Sequence, residues 1–592
     1  MEIRERLAAL RACMAREGID IYWIPSQDAH QSEYVADYWR VRAWFSGFTG
    51  SAGTLAVTQD GAYLWADGRY HIQAERQVAG TGITLYKWGL EGVPDPEEWL
   101  AANLKEGQTL GFDGRMVSMR VGEAYAEKLP GVCFKVEKDL ADEVWADRPA
   151  LPAGAVRELE LEYCGESRAD KFARVREHLR GQEADYLMLA SLDDIAWLLN
   201  LRGSDILHTP VFYSYLLIGL DRAWLFVDSC KVSDEIRAHL AEDGVEVCPY
   251  DGLPTLLRDL PAGKVLLNKA RINMLLGASI PDNWTIASET DITTRFKACK
   301  NPTEQENIRK AHVMDGVAMV RFIKWLQERV KDTEHPVDEW EAGQYLDARR
   351  LEEPNCFDLS FGTIAGYMAN GASAHYSAQQ GSAAQLKPEG LIVVDSGGQY
   401  YQGTTDITRT IVLGPVTDRM KKVYTLVLKG HLALGHAQFL EKTEGHYLDI
   451  LARQYLWQNG MDYRHGTGHG VGYVLSVHEG PQNIGRGTVD VKLEPGMLIS
   501  NEPGYYPEGE FGVRIENLVL VREAEKTVDG RFLCFETVTV CPYDWRVIDE
   551  SMLTEQEKAW INEYHRHVYE ALSPYLNREE REWLAAETRY SR

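Results

Sequence analysis

The sequence predicts an α/β protein, of the α+β kind, built from several domains. Its 592 residues are too many for one hydrophobic core. Stretches with helical periodicity alternate with short apolar runs rich in β-branched and aromatic residues, which are typical of buried strands. The helix and strand pattern near the start of the chain also recurs once. These three observations predict two similar α/β domains followed by a third domain of different character.

The first domain, predicted over residues 1–153, begins with an amphipathic helix that Gly18 ends. A strand at residues 20–24 and a second strand at 62–67 follow, with a glycine-rich stretch at 47–53 between them. The predicted helix has one apolar face, formed by Ile3, Leu7, Leu10 and Met14.

The second domain, predicted over residues 154–297, repeats this order. A helix around Phe172 precedes a strand at 185–189, and another strand follows at 223–228. Asp20 and Asp185 are 165 residues apart, as are Ser26 and Ser191, while Asp67 and Asp228 are 161 apart. A repeat this long indicates a duplicated domain rather than a solenoid, and the proline-containing stretch 148–154 is the expected linker.

The third domain is predicted over residues 298–592. Asn301, Pro302 and Glu304 have the spacing of a capped helix start. A long helix with a buried stripe from Ile308 to Trp325 should follow, and another helix is expected at about 421–440. The tail, 541–592, is predicted to form amphipathic helices at 554–572 and 578–588 that serve packing or dimer contact.

Composition excludes several functions. The chain has 63 Lys and Arg against 89 Asp and Glu, a formal net charge of −26, so a nucleic-acid partner is not expected, because phosphate binding needs a basic face. Nine scattered cysteines without a CxxC pair fit reduced thiols in a cytoplasmic protein. No apolar run approaches the ~18 residues of a membrane span. No HExxH or GxSxG motif is present.

The chemistry of the third domain is predicted to lie in five residues set at strand ends and beside glycines. Asp395 ends an apolar strand at 391–394, and Asp406 precedes a second strand at 407–413, so a hairpin with an acid on each arm is expected. Residues 498–502 and 513–517 are also predicted as strands that carry an acid. The single histidine of the set is expected in a glycine-rich turn. Buried acids need a cation or several donors. The five are Asp395, Asp406, His469, Glu502 and Glu516.

Four carboxylates and one imidazole suit a pair of hard or borderline divalent ions. Mn²⁺ is the preferred assignment on ligand softness, with Zn²⁺ and Co²⁺ as alternatives. Two carboxylates would bridge the ions and the others would cap each end, with a hydroxide held between the ions. Arg514 and Glu516, two apart on a predicted strand, should share one face.

The motifs that surround these residues resemble the pita-bread metallopeptidases, and within them the three-domain cytosolic type of Xaa-Pro aminopeptidase. The resemblance extends over essentially the whole chain. It rests on the motifs DSGGQY, TTDITRT, HGTGHGVG, NEPGYY and VRIEN, and on SGFTGS, DGRY, VHEGP and WINEYH outside the ligand set.

The resemblance implies a role for each ligand. Asp395 would hold one ion, Asp406 and Glu516 would bridge both, and His469 and Glu502 would complete the second site. Glu502 would also take the proton of the attacking water, and Arg514 would steady a ligand carboxylate from outside.

Further residues of the substrate site follow from the same resemblance. His375, His465 and His478 would line the active site, position the substrate and move protons to the leaving nitrogen, since imidazole titrates near neutral pH. His469 would also face the substrate. Arg69 in the DGRY motif would reach the bound peptide, in the same subunit or across a dimer.

The expected function is removal of an N-terminal residue from peptides with proline second, by attack of the metal-bridging hydroxide on the scissile carbonyl. The expected assembly is a homodimer, without nucleic-acid or membrane partners. A prolidase that cuts Xaa-Pro dipeptides is the alternative, but the three-domain length and the tail favour the aminopeptidase. A non-catalytic peptide-binding module is the third interpretation, and the complete ligand set weighs against it.

Overall fold

The computed structural model describes residues 1–589, which form two compact units. The first unit consists of Met1–Glu158 with Ser167–Thr293. The second consists of Leu159–Glu166 and the chain from Thr294 onward. The domain boundaries predicted at 153 and 297 remain predictions.

The first unit contains two six-stranded mixed sheets with one topology. Counted along the chain, both sheets have the strand order 4-3-2-1-5-6. In each, strand 1 is antiparallel to strand 2 and parallel to strand 5. The strands of the first are Ile21–Ile24, Thr54–Thr58, Ala62–Ala66, Thr84–Lys87, Thr109–Gly111 and Cys133–Lys135; those of the second are Tyr186–Leu189, Ser214–Gly219, Ala223–Val227, Val245–Cys248, Lys264–Leu267 and Thr285–Ser288.

Helices pack around these sheets. The first helix, Ile3–Glu17, ends at Gly18, whose φ of 63° is left-handed and favours glycine. Its predicted apolar face is largely confirmed, since Leu7, Leu10 and Met14 are buried. The other helices of the first unit are Val41–Ser46, His71–Val78, Pro96–Asn103, Met119–Lys128, Ala141–Val144, Arg168–Gly181, Leu192–Leu199, Asp234–Glu242, Leu253–Asp259 and Met274–Ala278, and Ile292–Ala298 crosses into the second unit.

The sequence repeat has a physical basis in matched hydrogen bonds. The carboxylate of Asp20 accepts from the amide of Thr109 at 2.7 Å, and that of Asp185 accepts from the amide of Lys264 at 2.8 Å. Both amides begin strand 5 of their sheets, so each aspartate fixes strand 1 against strand 5. Asp67 and Asp228 likewise each accept from the amide two residues ahead.

The second unit places helices around antiparallel sheets. Its helices are Leu161–Cys164, Pro302–Arg329, Glu339–Leu351, Asp418–Gly435, His446–Trp457, Glu555–Leu572 and Arg578–Glu587. A three-stranded sheet has the order Ile364–Tyr367, Leu391–Ser396, Ile407–Val412. A six-stranded sheet has the order Gln438–Leu440, Gly530–Thr537, Asn517–Thr527, Leu498–Asn501, Gly468–Gly470, Glu479–Ile484. Short strands at Cys356–Leu359, Gly398–Tyr400, Gly403–Thr404, Gly504–Tyr505 and Val513–Arg514 complete it.

The three-stranded sheet lies between two helical layers. Its Ile392 and Val394 pack with Phe322 of the long helix, while Leu391 packs with Val427 of the helix Asp418–Gly435. Because side chains alternate along a strand, Asp395 lies on the face opposite to Val394. The strand Leu391–Ser396 is therefore packed against helices on both faces, and its last residues, from Asp395, are available to the site.

Two predicted elements are corrected by the structure. The helix expected at about 421–440 is Asp418–Gly435, with Thr417 as its N-cap, and residues 438–440 form a strand instead. The strand expected over 513–517 is broken after Arg514, because Val513–Arg514 pairs with Gly504–Tyr505 and a second strand begins only at Asn517. None of the helices within residues 1–589 combines the length and apolar character needed to cross a membrane.

Candidate active site

Two paired strands bring the first two acids together. Leu391–Ser396 pairs antiparallel with Ile407–Val412, and Asp395 lies opposite Thr408. Asp406 is two residues before Thr408, just ahead of the strand, and its side chain is buried. The predicted hairpin with an acid on each arm is therefore present, and a small inner hairpin at residues 398–404 joins its arms.

Two further acids lie next to the end of a second strand pair. Leu498–Asn501 pairs antiparallel with Asn517–Thr527, and the last matched residues are Asn501 and Asn517. Glu502 and Glu516 are the next residues on each side of that pair. The amide of Glu516 donates to the carbonyl of Thr408 at 3.1 Å, which joins this pair of strands to the first.

The histidine of the set lies on a short strand, Gly468–Gly470, and not in the predicted turn. The flanking glycines explain the difference. A Cβ on Gly468 would lie 1.8 Å from the carbonyl oxygen of Ser500, and one on Gly470 would lie 2.3 Å from that of Glu479. Only glycine permits this close approach of the neighbouring strands. The two glycines therefore allow His469 to be part of a strand in the sheet.

The five predicted ligands lie on these elements, and three of them form a tight cluster. Ligand atoms of Asp406, His469 and Glu516 all lie within 4.8 Å of one another. The Nε2 of His469 is 3.5 Å from Oδ2 of Asp406 and 3.4 Å from Oε1 of Glu502. Asp395 joins the group electrostatically, since its charge raises the pKa of Asp406 and of Glu516.

Burial and like charge act together on these acids. Burial, followed by the charges of the neighbouring carboxylates, raises the pKa of Glu516 well above its usual range. Burial also raises the pKa of Glu502 to about 7. For His469, burial opposes protonation, but the hydrogen bond to Asp406 and the charge of Glu502 outweigh it and raise the pKa to about 9. Divalent cations would favour the charged carboxylates that these surroundings oppose.

One orphaned atom supports the fit to metal ions. The Oδ1 of Asp395 is buried and accepts no hydrogen bond from residues 1–589. A buried carboxylate oxygen without a donor is costly, and a cation would satisfy it. With four carboxylates and one imidazole as donors, the residues fit a pair of divalent ions of hard or borderline character.

Arg514 links Asp395, which lies outside the tight cluster of three ligands, to the rest of the site. Its buried guanidinium donates to Oδ2 of Asp395 at 2.7 Å, to the hydroxyl of Tyr506 at 2.8 Å and to that of Thr408 at 3.2 Å. Thr408 in turn donates to Oε2 of Glu516 at 2.7 Å. Arg514 therefore occupies the place expected for a residue that steadies a ligand, and that role remains a prediction.

The three other histidines lie beside residues of the site. The ring of His478 meets that of His469 edge to face at 4.4 Å between centroids. The Nε2 of His465 is 2.8 Å from the hydroxyl of Tyr506. Burial, helped by the charge of Arg514, lowers the pKa of His465 to about 3. His375 is half-buried and follows Ala374, whose carbonyl accepts from Arg514 at 3.2 Å.

Sequence reasoning missed three hydroxyl side chains of the site. Thr408 and Tyr506 contact Arg514, and Ser500 donates to Glu502 at 3.1 Å while accepting from the amide of His469 at 2.9 Å. Thr408 and Tyr506 stand inside motifs that were recognised, two and four residues after a ligand. That proximity was the only signal, because a hydroxyl residue has no pattern of its own.

Glu339 was also missed, and no sequence signal points to it. It is fully buried near the start of the helix Glu339–Leu351. Its carboxylate accepts from the amides of Tyr367 at 2.7 Å and Ala384 at 2.9 Å, and from the hydroxyl of Tyr376 at 2.7 Å. Asn370 donates to both of its oxygens at 3.0 Å. One carboxylate thus ties together the segment 367–384 that contains His375.

Arg69 lies in the first unit and pairs with Asp67. Its Nη2 is 2.7 Å from Oδ2 of that residue, and its side chain is 34% exposed. The ion pair follows directly from the tight turn at Gly68, since the Asp67 carboxylate also accepts the amide of Arg69 at 3.0 Å. Contact of Arg69 with a peptide remains a prediction.

Family models match most of the chain. The family model described as metallopeptidase family M24 matches residues 306–523, and that of its C-terminal region matches residues 531–590. Two models described as creatinase/prolidase N-terminal domains match residues 6–144 and 147–304. A probable Xaa-Pro aminopeptidase P of Neurospora crassa is 41% identical over 99% of this chain and 88% of its own. This chain belongs to metallopeptidase family M24.

Other relatives match along the whole length as well. Aminopeptidase P2 of Arabidopsis thaliana is 39% identical over 99% of this chain and 88% of its own. The crystal structure of an X-prolyl aminopeptidase from Caenorhabditis elegans, described as a cytosolic enzyme with a di-nuclear active site, superposes with a TM-score of 0.94. It has 33% identity and covers 99% of both chains. The predicted family and the predicted fold class are confirmed.

A shorter solved structure matches the fold alone. The Xaa-Pro dipeptidase from Bacillus anthracis covers 64% of this chain and 99% of its own, with 22% identity and a TM-score of 0.50. Nearly all of that shorter structure therefore matches part of this chain, and more than a third of this chain lies outside the match.

Proposed function

We propose that this chain is a metal-dependent aminopeptidase that releases the first residue of peptides with proline in second position. The observation that carries the proposal is the match of 99% of the chain, at 41% identity, to a probable Xaa-Pro aminopeptidase P. The donor cluster of Asp406, His469 and Glu516 supports it independently.

Two divalent ions would be held by Asp395, Asp406, His469, Glu502 and Glu516. When bound, the ions supply the Lewis acidity that polarises the scissile carbonyl and activates water. Arg514 keeps the Asp395 carboxylate in place through its 2.7 Å contact, and Ser500 does the same for Glu502 at 3.1 Å.

The proline of the substrate determines what the remaining residues of the site must do. The Xaa-Pro bond is a tertiary amide without an N–H, so the protein has no donor there to grip, and the ring nitrogen must gain a proton as it leaves. Glu502 takes the proton of the attacking water, while His375 and His478 orient the substrate and move the proton onward. The low pKa of His465 keeps its ring neutral, so it acts through its hydrogen bond with Tyr506.

Manganese is the proposed metal, because the donor set is rich in carboxylate oxygen and contains only one imidazole. The test is to strip the protein, add Mn²⁺, Zn²⁺ or Co²⁺ separately, and measure both bound metal and turnover. Highest turnover with two equivalents of Mn²⁺ supports the assignment. Higher turnover with Zn²⁺ or Co²⁺ at equal occupancy replaces it.

Substrate class is tested with two peptides. The Mn²⁺-loaded enzyme should release Arg from Arg-Pro-Pro, identified by mass, and cut the dipeptide Ala-Pro poorly. Preference for Ala-Pro would instead make the chain a prolidase. Arg69→Ala should weaken cleavage of longer peptides more than of short ones, and an equal effect on both would remove Arg69 from the substrate site.

A homodimer in the cytoplasm is also proposed. The helix His446–Trp457 leaves Tyr447, Ile450 and Trp457 exposed by 65%, 42% and 46%, and their spacing places them on one face. Light scattering should give a dimer for the native chain and a monomer for Ile450→Glu, with Val528→Glu at an exposed hairpin tip as control. A dimer that survives Ile450→Glu would exclude this face.

A further inference from the structure

A cavity lies in the same unit as the proposed metal ligands, at the far end of the strand that follows Asp406. Its volume is about 500 Å³, and Val412 and Leu413, at the end of the strand Ile407–Val412, line it. Six residues of strand separate Val412 from Asp406, which at about 3.3 Å per residue amounts to ~20 Å. The cavity is therefore distinct from the metal site.

The charged residues that line this cavity are all cationic, although the chain has a net charge of −26. They are Lys331, Lys421 and Arg546. Neither lysine side chain makes an ion pair or hydrogen bond within residues 1–589. Arg546 uses Nε and Nη2 on Asp544, at 2.8 and 2.6 Å, and its Nη1 has no partner in the described chain.

The acids near these cations are themselves paired. Asp544 is held by Arg546 and also accepts from the amide of Val412 at 2.9 Å. Asp332 pairs with Arg329 at 3.4 Å, and Glu587 lies 4.0 Å from Arg546. Neither Asp332 nor Glu587 lines the cavity. Lys331 and Lys421 thus face this space without an acid in the lining, and Arg546, paired with Asp544, turns to it a guanidinium whose Nη1 has no partner in the described chain.

Gln327 adds a donor that lacks an acceptor. Its side chain is only 7% exposed, it lines the cavity, and its Nε2 is buried without a hydrogen-bond partner in the described chain. Its Oε1 accepts from the indole N–H of Trp583 at 3.3 Å. Because an indole nitrogen only donates, this contact fixes which end of the amide meets Trp583. The buried NH₂ is left to find an acceptor elsewhere.

We propose that this cavity binds a small organic anion. Its charged group lies among Lys331, Lys421 and Arg546, beside Gln327. Its apolar body packs on Val412 and Leu413. Both a phosphate ester and a carboxylate offer the required oxygen acceptors to cations, and the cavity volume suits a molecule of this size.

The test uses the full-length enzyme and isothermal titration with phenyl phosphate, benzoate and the neutral analogue phenol. At least one anion should bind with a dissociation constant below about 1 mM, and phenol should not. The tighter of the two anions identifies the class as phosphate ester or carboxylate.

Variants separate this site from the metal centre, which can also attract anions. Lys331→Gln with Lys421→Gln should weaken binding of the tighter anion by about 10-fold or more, because two charge-assisted contacts are lost. Lys422→Gln, the neighbouring lysine outside the cavity lining, should change it by less than ~2-fold. A dissociation constant above about 1 mM for both anions, or equal binding by the double variant and the native enzyme, would overturn the proposal.

Discussion

Thr408 shows how a single hydroxyl can organise several charged groups. It lies opposite Asp395 in the strand pair, donates to Glu516 at 2.7 Å and accepts from Arg514 at 3.2 Å. Its side chain is fully buried, so these bonds are protected from water. The sequence identified both acids and the arginine at this scale, but which hydroxyl joins them depends on strand register.

Asp406→Asn tests one of the proposed metal ligands. An amide oxygen carries no charge, so the variant should bind less metal, and kcat/KM for Arg-Pro-Pro should fall by at least about 100-fold. Metal content and activity are measured together, with Asp529→Asn in an exposed hairpin turn as the control. Native activity in Asp406→Asn would remove this residue from the metal centre.

Arg514→Lys tests the support of Asp395. Lysine keeps the positive charge but cannot reach Asp395, Tyr506 and Thr408 with one planar group. Metal affinity should fall by about 10- to 100-fold, and added Mn²⁺ should restore part of the activity. If metal affinity is unchanged, Arg514 does not position the ligand.

At the scale of elements, the loop 367–384 depends on one buried side chain. Glu339 receives hydrogen bonds from two amides, one hydroxyl and one side-chain amide of this segment. Charge-assisted bonds of this kind are about twice as strong as neutral ones. The loop that contains His375 is therefore held from a helix far from it in sequence, which no local pattern reveals.

Glu339→Gln should loosen this loop without changing any of the proposed metal ligands. We expect kcat for Arg-Pro-Pro to fall by about 10- to 100-fold, with metal content unchanged and with faster proteolysis within residues 367–384. Glu352→Gln, on the exposed end of the same helix, should have no such effect. A drop in metal content equal to the drop in activity would contradict a role through His375.

Other elements differ from prediction for equally physical reasons. The short strand Gly468–Gly470 was predicted as a turn, because two glycines beside a histidine usually mark one. Their actual use is to let neighbouring strands approach closely. Close approach is a property of the partner strand, and it cannot be read from the glycines alone.

At the scale of the whole molecule, buried histidines make stability depend on pH. His30 in the first unit lies between the carbonyl of Ala190 at 2.9 Å and the hydroxyl of Tyr250 at 2.7 Å. Burial lowers its pKa from 6.5 to about 4. Since the folded pKa lies below the unfolded one, the stabilisation is complete above pH 6.5 and is lost as pH falls toward 4.

This histidine should account for a loss on the order of 3 kcal/mol between pH 6.5 and 4, at about 1.4 kcal/mol per pKa unit. His30→Gln should be less stable at neutral pH but should show a flatter decline, measured by urea unfolding with circular dichroism. His71→Gln, at a partly exposed position, is the control. An unchanged pH slope in His30→Gln would show that His30 does not carry this dependence.

The sequence by itself predicted the family through its motifs, and it predicted the duplicated α/β fold and most helices through local periodicity. The five metal ligands stay a prediction. Asp20 and Asp185 correspond in the sequence only by their spacing of 165 residues, and in the structure they make equivalent hydrogen bonds. Only the tertiary structure decided which hydroxyls support the acids, that Glu339 holds the loop of His375, and that Lys331, Lys421 and Arg546 share a cavity. These are contacts between residues distant along the chain, set by strand register and helix packing, and they leave no periodic trace in the sequence.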